Sequence, residues 1–174
     1  MPARPQTMQS KPLATSLAWI GLGANLGDST ATLAWALEQL HQQAHVQVQR
    51  ASSLYRSAPV DATGPDYINA VAELSTTLAP QALLECLQGL ELAAGRQRPY
   101  RNAPRTLDLD IVWFGEQQIA TPSLTVPHPR WHERAFVLHP LAELLPERIS
   151  ASQLQAVQTQ RIERLPQRWT AWAV

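Results

Sequence analysis

Two aspartates, Asp108 and Asp110, stand two residues apart inside the apolar run Thr106-Leu107-Asp108-Leu109-Asp110-Ile111. A strand projects residues i and i+2 from one face. Both carboxylates therefore point one way with Thr106 beside them, while Leu107, Leu109, Ile111 and Trp113 line the other face. Like charges held side by side resist ionisation unless a cation lies between them. Such a pair suits Mg²⁺, a hard ion that takes one or two protein carboxylates and completes its shell with water and phosphate oxygens. Arg96, Arg98, Arg101 and Arg105 come just before the pair, with no acidic residue from Arg96 to Leu107. Carboxylates for a metal beside guanidinium groups for phosphate make the local chemistry of a nucleoside triphosphate site.

The chain must supply the elements that position these groups. Its 174 residues are enough for one domain with its own core. A net charge of zero argues against a general polyanion-binding surface. Positive charge is local instead: Arg96, Arg98, Arg101, Arg105, Arg130 and Arg134 cluster in sequence, and Lys11 is the only lysine. Arginine makes planar, two-pronged contacts to phosphate, which fits that clustering. Cys86 is the single cysteine, so no disulfide framework or thiolate cluster is available, and its leucine neighbours suggest a packed thiol. Residues 1–14, with three prolines, read as a loose tail, and residues 15–174 as one domain. No apolar run reaches the roughly 18 residues of a membrane span. A cytoplasmic protein without nucleic-acid or membrane partners is the default expectation, with a monomer taken as the starting assumption, since the sequence does not speak to oligomeric state.

Along the chain, residues 17–22 read as a buried strand that enters a glycine-rich turn over Gly21-Leu22-Gly23-Ala24-Asn25-Leu26-Gly27-Asp28. The spacing G-x-G-x-x-x-G lacks the third glycine of a dinucleotide fingerprint. Asp28 or Ser29 can cap a helix whose apolar stripe is Leu33, Ala36, Leu37 and Leu40. Residues 46–55 and 67–78 are strand-like, separated by an irregular loop containing Pro59, Gly64 and Pro65. Pro80 opens a second helix and Gly95 closes it. Gln88 and Glu91 share a flank at the edge of its buried stripe. Residues 106–114 form the central strand, 117–119 a short return strand, and 135–145 and 151–165 carry helical pattern. The order strand, helix, strand, strand, helix, strand is that of a ferredoxin-like α+β sandwich, with helices on one face of a mainly antiparallel sheet.

Several strings, in order, resemble the 6-hydroxymethyl-7,8-dihydropterin pyrophosphokinase family. They are the 21–28 turn, Ser53-Leu54-Tyr55-Arg56, Pro65-Asp66-Tyr67-Ile68-Asn69-Ala70, Pro104-Arg105-Thr106-Leu107-Asp108-Leu109-Asp110-Ile111, and Leu124-Thr125-Val126-Pro127-His128-Pro129-Arg130. The similarity continues through Glu133-Arg134-Ala135-Phe136-Val137-Leu138 and covers about residues 17–145. The resemblance implies transfer of pyrophosphate from ATP to a pterin alcohol in folate biosynthesis. It implies that Asp108 and Asp110 hold two Mg²⁺ ions and that Arg96, Arg98 and Arg105 contact the phosphates. Gln88, Glu91, Ile111, Thr125, His128 and Arg134 match positions lining the ATP pocket. Pro59, Val60, Tyr67, Asn69 and Phe136 match the pterin pocket, where Phe136 supplies a plane for stacking and Asn69 pairs with the pterin amide edge.

Three departures from the family pattern stand out. Ala24 replaces a common serine, Asn102-Ala103 replaces a common Trp-Gly, and Ser123 stands where some members have arginine. Two other classes compete with this reading. An RNA-binding sandwich would need exposed aromatic pairs on central strands and a basic face, and both are missing. A catalytically silent relative has no chemical need for Asp108, Asp110, Arg96, Arg105 and Asn69 together.

Overall fold

The computed structural model describes residues 13–61, 63–95 and 106–169. Arg96, Arg98, Arg101, Asn102, Ala103 and Arg105 fall outside the described residues, as does the tail before residue 13.

The strands are β1 (Ser16–Ala24), β2 (Val46–Ala51), β3 (Tyr55–Ser57), β4 (Tyr67–Thr76) and β5 (Asp108–Phe114), with β6 (Ile119–Ala120), β7 (Thr125–Val126) and β8 (Ile162–Arg164). The helices are α1 (Ser29–Gln42), α2 (Pro80–Ala93), α3 (Ala135–Leu144) and α4 (Ala151–Ala156). The main sheet runs β5-β1-β4-β3-β8, with β2 also paired to β4, and every pairing is antiparallel. This is the expected ferredoxin-like sandwich, with the strand after the first helix broken in two and, against the expectation of helices on one face alone, α3 packed on the opposite face. The break falls at Ser52, whose amide donates to the Val71 carbonyl at 2.8 Å and whose Oγ accepts from the Val71 amide at 3.0 Å. The hydroxyl stands in for a backbone carbonyl, so the ladder bends without leaving a buried amide unpaired.

Each face of the sheet has its own core. Leu33, Leu37 and Leu40 of α1 and Leu83, Leu87 and Leu90 of α2 pack with Ile20, Leu22, Leu74, Leu109, Ile111 and Phe114 on one side. Cys86 packs against this cluster as expected. On the opposite side α3 contributes Val137, Leu138, Leu141 and Leu144 to a smaller core with Trp19, Val71, Val112 and Trp113. That smaller core covers only part of its face. The Asp28 carboxylate caps α1 by accepting from the Ala31 amide at 3.0 Å, and α2 starts on Pro80.

Four expectations change. The strand carrying Asp108 and Asp110 is an edge strand of the described sheet, not a central one, since only β1 pairs with it. Trp113 does not share a face with Leu109 and Ile111, because a register shift opposite Trp19 and Ile20 turns Val112 and Trp113 to the same side. A bulge of this kind adds one residue and breaks the period-two alternation. The helical pattern over 151–165 yields only α4, after which residues 162–164 pair with β3 as β8. The return strand falls at Ile119–Ala120 and pairs with β7 in a separate two-stranded sheet. No helix among the described residues is long and apolar enough to cross a membrane.

Leu87 is fully buried beneath the sheet. Leu87→Ala should cost about 3 kcal/mol through lost transfer energy and a residual cavity. Urea unfolding checks this: the midpoint should fall with an unchanged slope, and an unchanged midpoint would refute the assignment of this core.

Candidate active site

The site lies where α3 leaves its face of the sheet uncovered. Antiparallel register sets Gly21 beside Asp110 and Gly23 beside Asp108 on one flank, and Gly23 beside Asn69 on the other. Directly opposed residues project from the same face, so Asp108, Asp110 and Asn69 all rise around two positions that carry no side chain. A Cβ on Gly23 would come within 3.2 Å of Asn69 Oδ1 and 3.7 Å of Tyr67 Cδ1. The two glycines thus lie within β1 and form a floor. They do not belong to the turn, as their spacing suggested; of the three glycines in the 21–28 string, only Gly27, with φ of 63°, has the left-handed geometry a turn requires.

A cavity of about 230 Å³ stands on this floor. Its lining includes Asp108, Asp110, His128, Arg134, Val60, Tyr67, Asn69 and Phe136, eight of the residues singled out from sequence. Asn69 is held by its own bond, Nδ2 donating to Ser57 Oγ at 2.8 Å, and is only 4% exposed. Asn25 Nδ2 donates to the Pro65 carbonyl at 3.1 Å and ties the glycine turn to the loop before Tyr67. The Arg134 guanidinium stands over the Phe136 ring, 5.5 Å from its centre. That contact leaves a cation and an aromatic plane side by side at the start of α3.

His128 follows the cis bond between Val126 and Pro127. Its amide donates to the Val112 carbonyl at 2.9 Å, and its Nδ1 accepts from the Arg130 amide at 3.1 Å. The neutral ring therefore carries its proton on Nε2. Burial lowers its pKa from the ordinary 6.5, Arg134 and Arg130 push the same way, and Asp108 opposes them. Burial also lowers Arg134, against the pull of Asp110 and Asp108. Arg134 thus feels both aspartates and His128 feels Asp108. The two carboxylates are half-buried, and no cluster of three or more His, Cys, Asp or Glu ligands occurs among the described residues. Two oxygen-donor side chains on a cavity floor suit a hard cation that takes its remaining ligands from water and phosphate. They do not suit a closed protein cage.

Other sequence-derived residues fall elsewhere. Pro59 lines a smaller adjoining cavity. Gln88 and Thr125 are exposed outside the main cavity, and Ile111 is buried in the helix-side core. The spacing already placed Ile111 opposite the aspartates. Glu91 is not at a solvent edge: it is 3% exposed, and its Oε1 accepts from the Leu109 amide at 2.8 Å. Ser123 donates to Gln81 Oε1 at 2.9 Å on the surface. Sequence reading assigned no role to Ser57, Asp61 or Arg130, which also line the cavity. Arg130 was visible in the Pro127-His128-Pro129-Arg130 string; Ser57 and Asp61 carried no signal of their own.

A ferredoxin-like sandwich with carboxylates, a guanidinium group and an aromatic wall in one cavity defines a class of site, one that suits a hard cation, anionic groups and a flat ring. The sequence pattern of 7,8-dihydro-6-hydroxymethylpterin-pyrophosphokinase matches residues 19–146. A Bacillus subtilis protein named 2-amino-4-hydroxy-6-hydroxymethyldihydropteridine pyrophosphokinase is 45% identical over 130 residues, covering 74% of this chain and 78% of that one. A Pseudomonas aeruginosa protein of the same name is 43% identical over 155 residues, covering 85% and 96%. The chain belongs to the 7,8-dihydro-6-hydroxymethylpterin-pyrophosphokinase family. Among solved structures, Plasmodium falciparum HPPK-DHPS with pterin and p-hydroxybenzoate superposes with a TM-score of 0.62 at 14% identity. The match covers 85% of this chain but only 43% of that longer one, and it supports the fold.

The lowered pKa of His128 has a stability consequence. The folded protein favours the neutral ring, so the stability it contributes is fully present above 6.5 and is lost as pH falls through the lower folded value. In metal-free and nucleotide-free protein, an NMR titration should place His128 below 6.5. His128→Gln should flatten the loss of urea stability on going from about pH 7 to about pH 5. A His128 titration above 6.5 would contradict this environment.

Proposed function

We propose that the chain transfers pyrophosphate from ATP to the hydroxymethyl group of 6-hydroxymethyl-7,8-dihydropterin, giving AMP and the pterin diphosphate, as a step of folate biosynthesis. The observation that carries this reading is convergence: one cavity gathers Asp108, Asp110, His128 and Arg134 beside Tyr67, Asn69 and Phe136. The pterin hydroxyl oxygen forms a bond to the β-phosphorus. The bond from that phosphorus to the oxygen bridging α and β breaks, AMP departs with the electron pair, and the hydroxyl proton passes to solvent.

Phe136 offers a face on which the flat pterin stacks, and Asn69, clamped by Ser57, presents an amide to the pterin edge. The glycine floor lets the ring approach the β1 backbone. Arg134 and the neutral His128, through its Nε2–H, supply donors to phosphate oxygens, where charge redistributes in the transition state. We place the phosphate roles of Arg96, Arg98 and Arg105 here as well, on the family resemblance. Ile111 turns its side chain away from the cavity, so its part in nucleotide contact falls to its backbone. Asp108 and Asp110 would hold the divalent ions, Mg²⁺ by the hardness of the donors and two by family resemblance. When bound, these ions neutralise phosphate charge and acidify the attacking hydroxyl. Gln88, Glu91 and Thr125 stay in the nucleotide role the resemblance gives them, and Pro59 and Val60 in the pterin role. A cytoplasmic monomer completes the proposal.

Two experiments test it. Incubation with ATP, Mg²⁺ and the pterin should yield AMP, dependent on both pterin and metal. Asp110→Ala should slow AMP formation by roughly 1000-fold with the fold retained. ADP as product would mean γ-phosphoryl transfer and would overturn the mechanism, and ATP binding without turnover would favour a silent relative. Gly23→Ala should raise KM for the pterin by about tenfold, since one methyl group enters the space where ring and backbone meet. An unchanged KM would remove the glycine floor from the pterin site.

A further inference from the structure

Gln160 and Arg161 lie beyond residues 19–146, the part of the chain that the family pattern matches. They sit in the turn that leads into β8. Helix α3 starts without a side-chain cap from its own N-cap residue, Arg134. The first amides of a helix need partners from elsewhere, and here Gln160 supplies one. Its Oε1 accepts from the Ala135 amide at 2.9 Å, and its Nε2 donates to the Glu133 carbonyl at 2.7 Å. These bonds grip the chain on both sides of Arg134 and one residue short of Phe136, and both of those side chains line the main cavity.

Arg161 holds the opposite wall. Its guanidinium pairs with the Asp66 carboxylate, immediately before Tyr67. Next, Ile162 pairs with Ser57, the residue that clamps Asn69. Strand pairing therefore fixes where Gln160 and Arg161 stand relative to the site. A second cavity, of about 170 Å³, lies between these two residues and the backs of Pro59, Val60 and Phe136. Protein interiors hold side chains by close packing. A wall backed by a cavity lacks that support on one side, so its position depends on polar tethers.

We propose that Gln160 and Arg161 are positioning residues that set the spacing between the two walls of the pterin-binding pocket: Gln160 through the start of α3, Arg161 through Asp66 and the loop before β4. This rests on the reading under Proposed function and deepens it. Neither side chain touches the reacting atoms.

The test uses the full chain as parent, Gln160→Ala, Arg161→Ala and Arg161→Lys. Pterin affinity is read by its fluorescence in the presence of Mg²⁺ and a non-hydrolysable ATP analogue, nucleotide affinity by calorimetry, turnover by AMP formation, and folding by thermal midpoint. Gln160→Ala should raise Kd and KM for the pterin by about tenfold, the loss of two hydrogen bonds. Arg161→Ala should raise them by about threefold, an exposed ion pair being weaker, and Arg161→Lys should restore them. In both alanine variants pterin affinity should fall more than nucleotide affinity or kcat. If Gln160→Ala fails to fold, the exposed Arg161 pair of variants decides. A parent that turns over, with pterin Kd and KM unchanged in the folded alanine variants, overturns the positioning role alone. Equal losses of pterin and nucleotide affinity together with a lowered midpoint also overturn it, as general destabilisation. A parent that neither binds the pterin nor forms AMP defeats the underlying reading and the positioning role with it.

Discussion

The site depends on one constraint above all, the antiparallel register that sets β1 between β4 and β5. That register brings Gly21 to Asp110, and Gly23 to both Asp108 and Asn69. Any side chain at the two glycine positions would stand where the carboxylates and the amide converge. A slip of one residue would turn both aspartates into the core beneath the sheet, since strand faces alternate. The long β1–β4 ladder, from Ser16 opposite Thr76 to Ala24 opposite Ile68, makes such a slip costly. The strand paired along both of its edges, β1, is therefore also the base of the cavity, the arrangement a site held to fine tolerance needs.

The two faces of the sheet have different tasks. The face covered by α1 and α2 carries the main apolar core, with Glu91 buried at its edge against the Leu109 amide. The other face is shared between the Trp19, Val71 and Leu138 cluster and the open cavity. Helix α3 belongs to both parts: its later residues pack, while its first turn brings Arg134 and Phe136 to the cavity edge. It is also anchored at several points. Glu143 accepts from Tyr55 Oη at 2.7 Å and from Ser53 Oγ at 2.8 Å, and Gln160 holds the other end. Burial raises the pKa of the Tyr55 hydroxyl, with its bond to Glu143 adding to the effect, so it remains a donor across the physiological range. On the same face Glu73 accepts from Arg50 at 2.6 Å and from the Trp19 indole at 3.2 Å, tying β2, β4 and β1 together.

Much of this was legible in sequence because it rests on local periodicity. The order of elements, the caps at Asp28 and Pro80, and the shared face of Asp108 and Asp110 all follow from spacing that a single strand or helix enforces. The family strings then placed Tyr67, Asn69, His128, Arg134 and Phe136 near one another. Where reading failed, the cause was a long-range pairing or a break in period. Trp113 changed faces because of a bulge, residues 162–164 became a strand because the β3 edge accepts one, and Glu91 was buried because the Leu109 amide needs an acceptor.

By itself the sequence determined the chemistry on offer: hard oxygen donors two apart, guanidinium groups close by, a flat aromatic, and the α+β order of elements. Side-chain type and i, i+2 geometry are properties of the chain and survive any packing. Only the tertiary structure decided that Gly21 and Gly23 form a floor, that Ser57 and Gln160 serve as clamps, and that Glu91 is buried against the Leu109 amide. Those roles come from which strands lie side by side and in what register. That is settled by burying two apolar faces at once while pairing every amide between them.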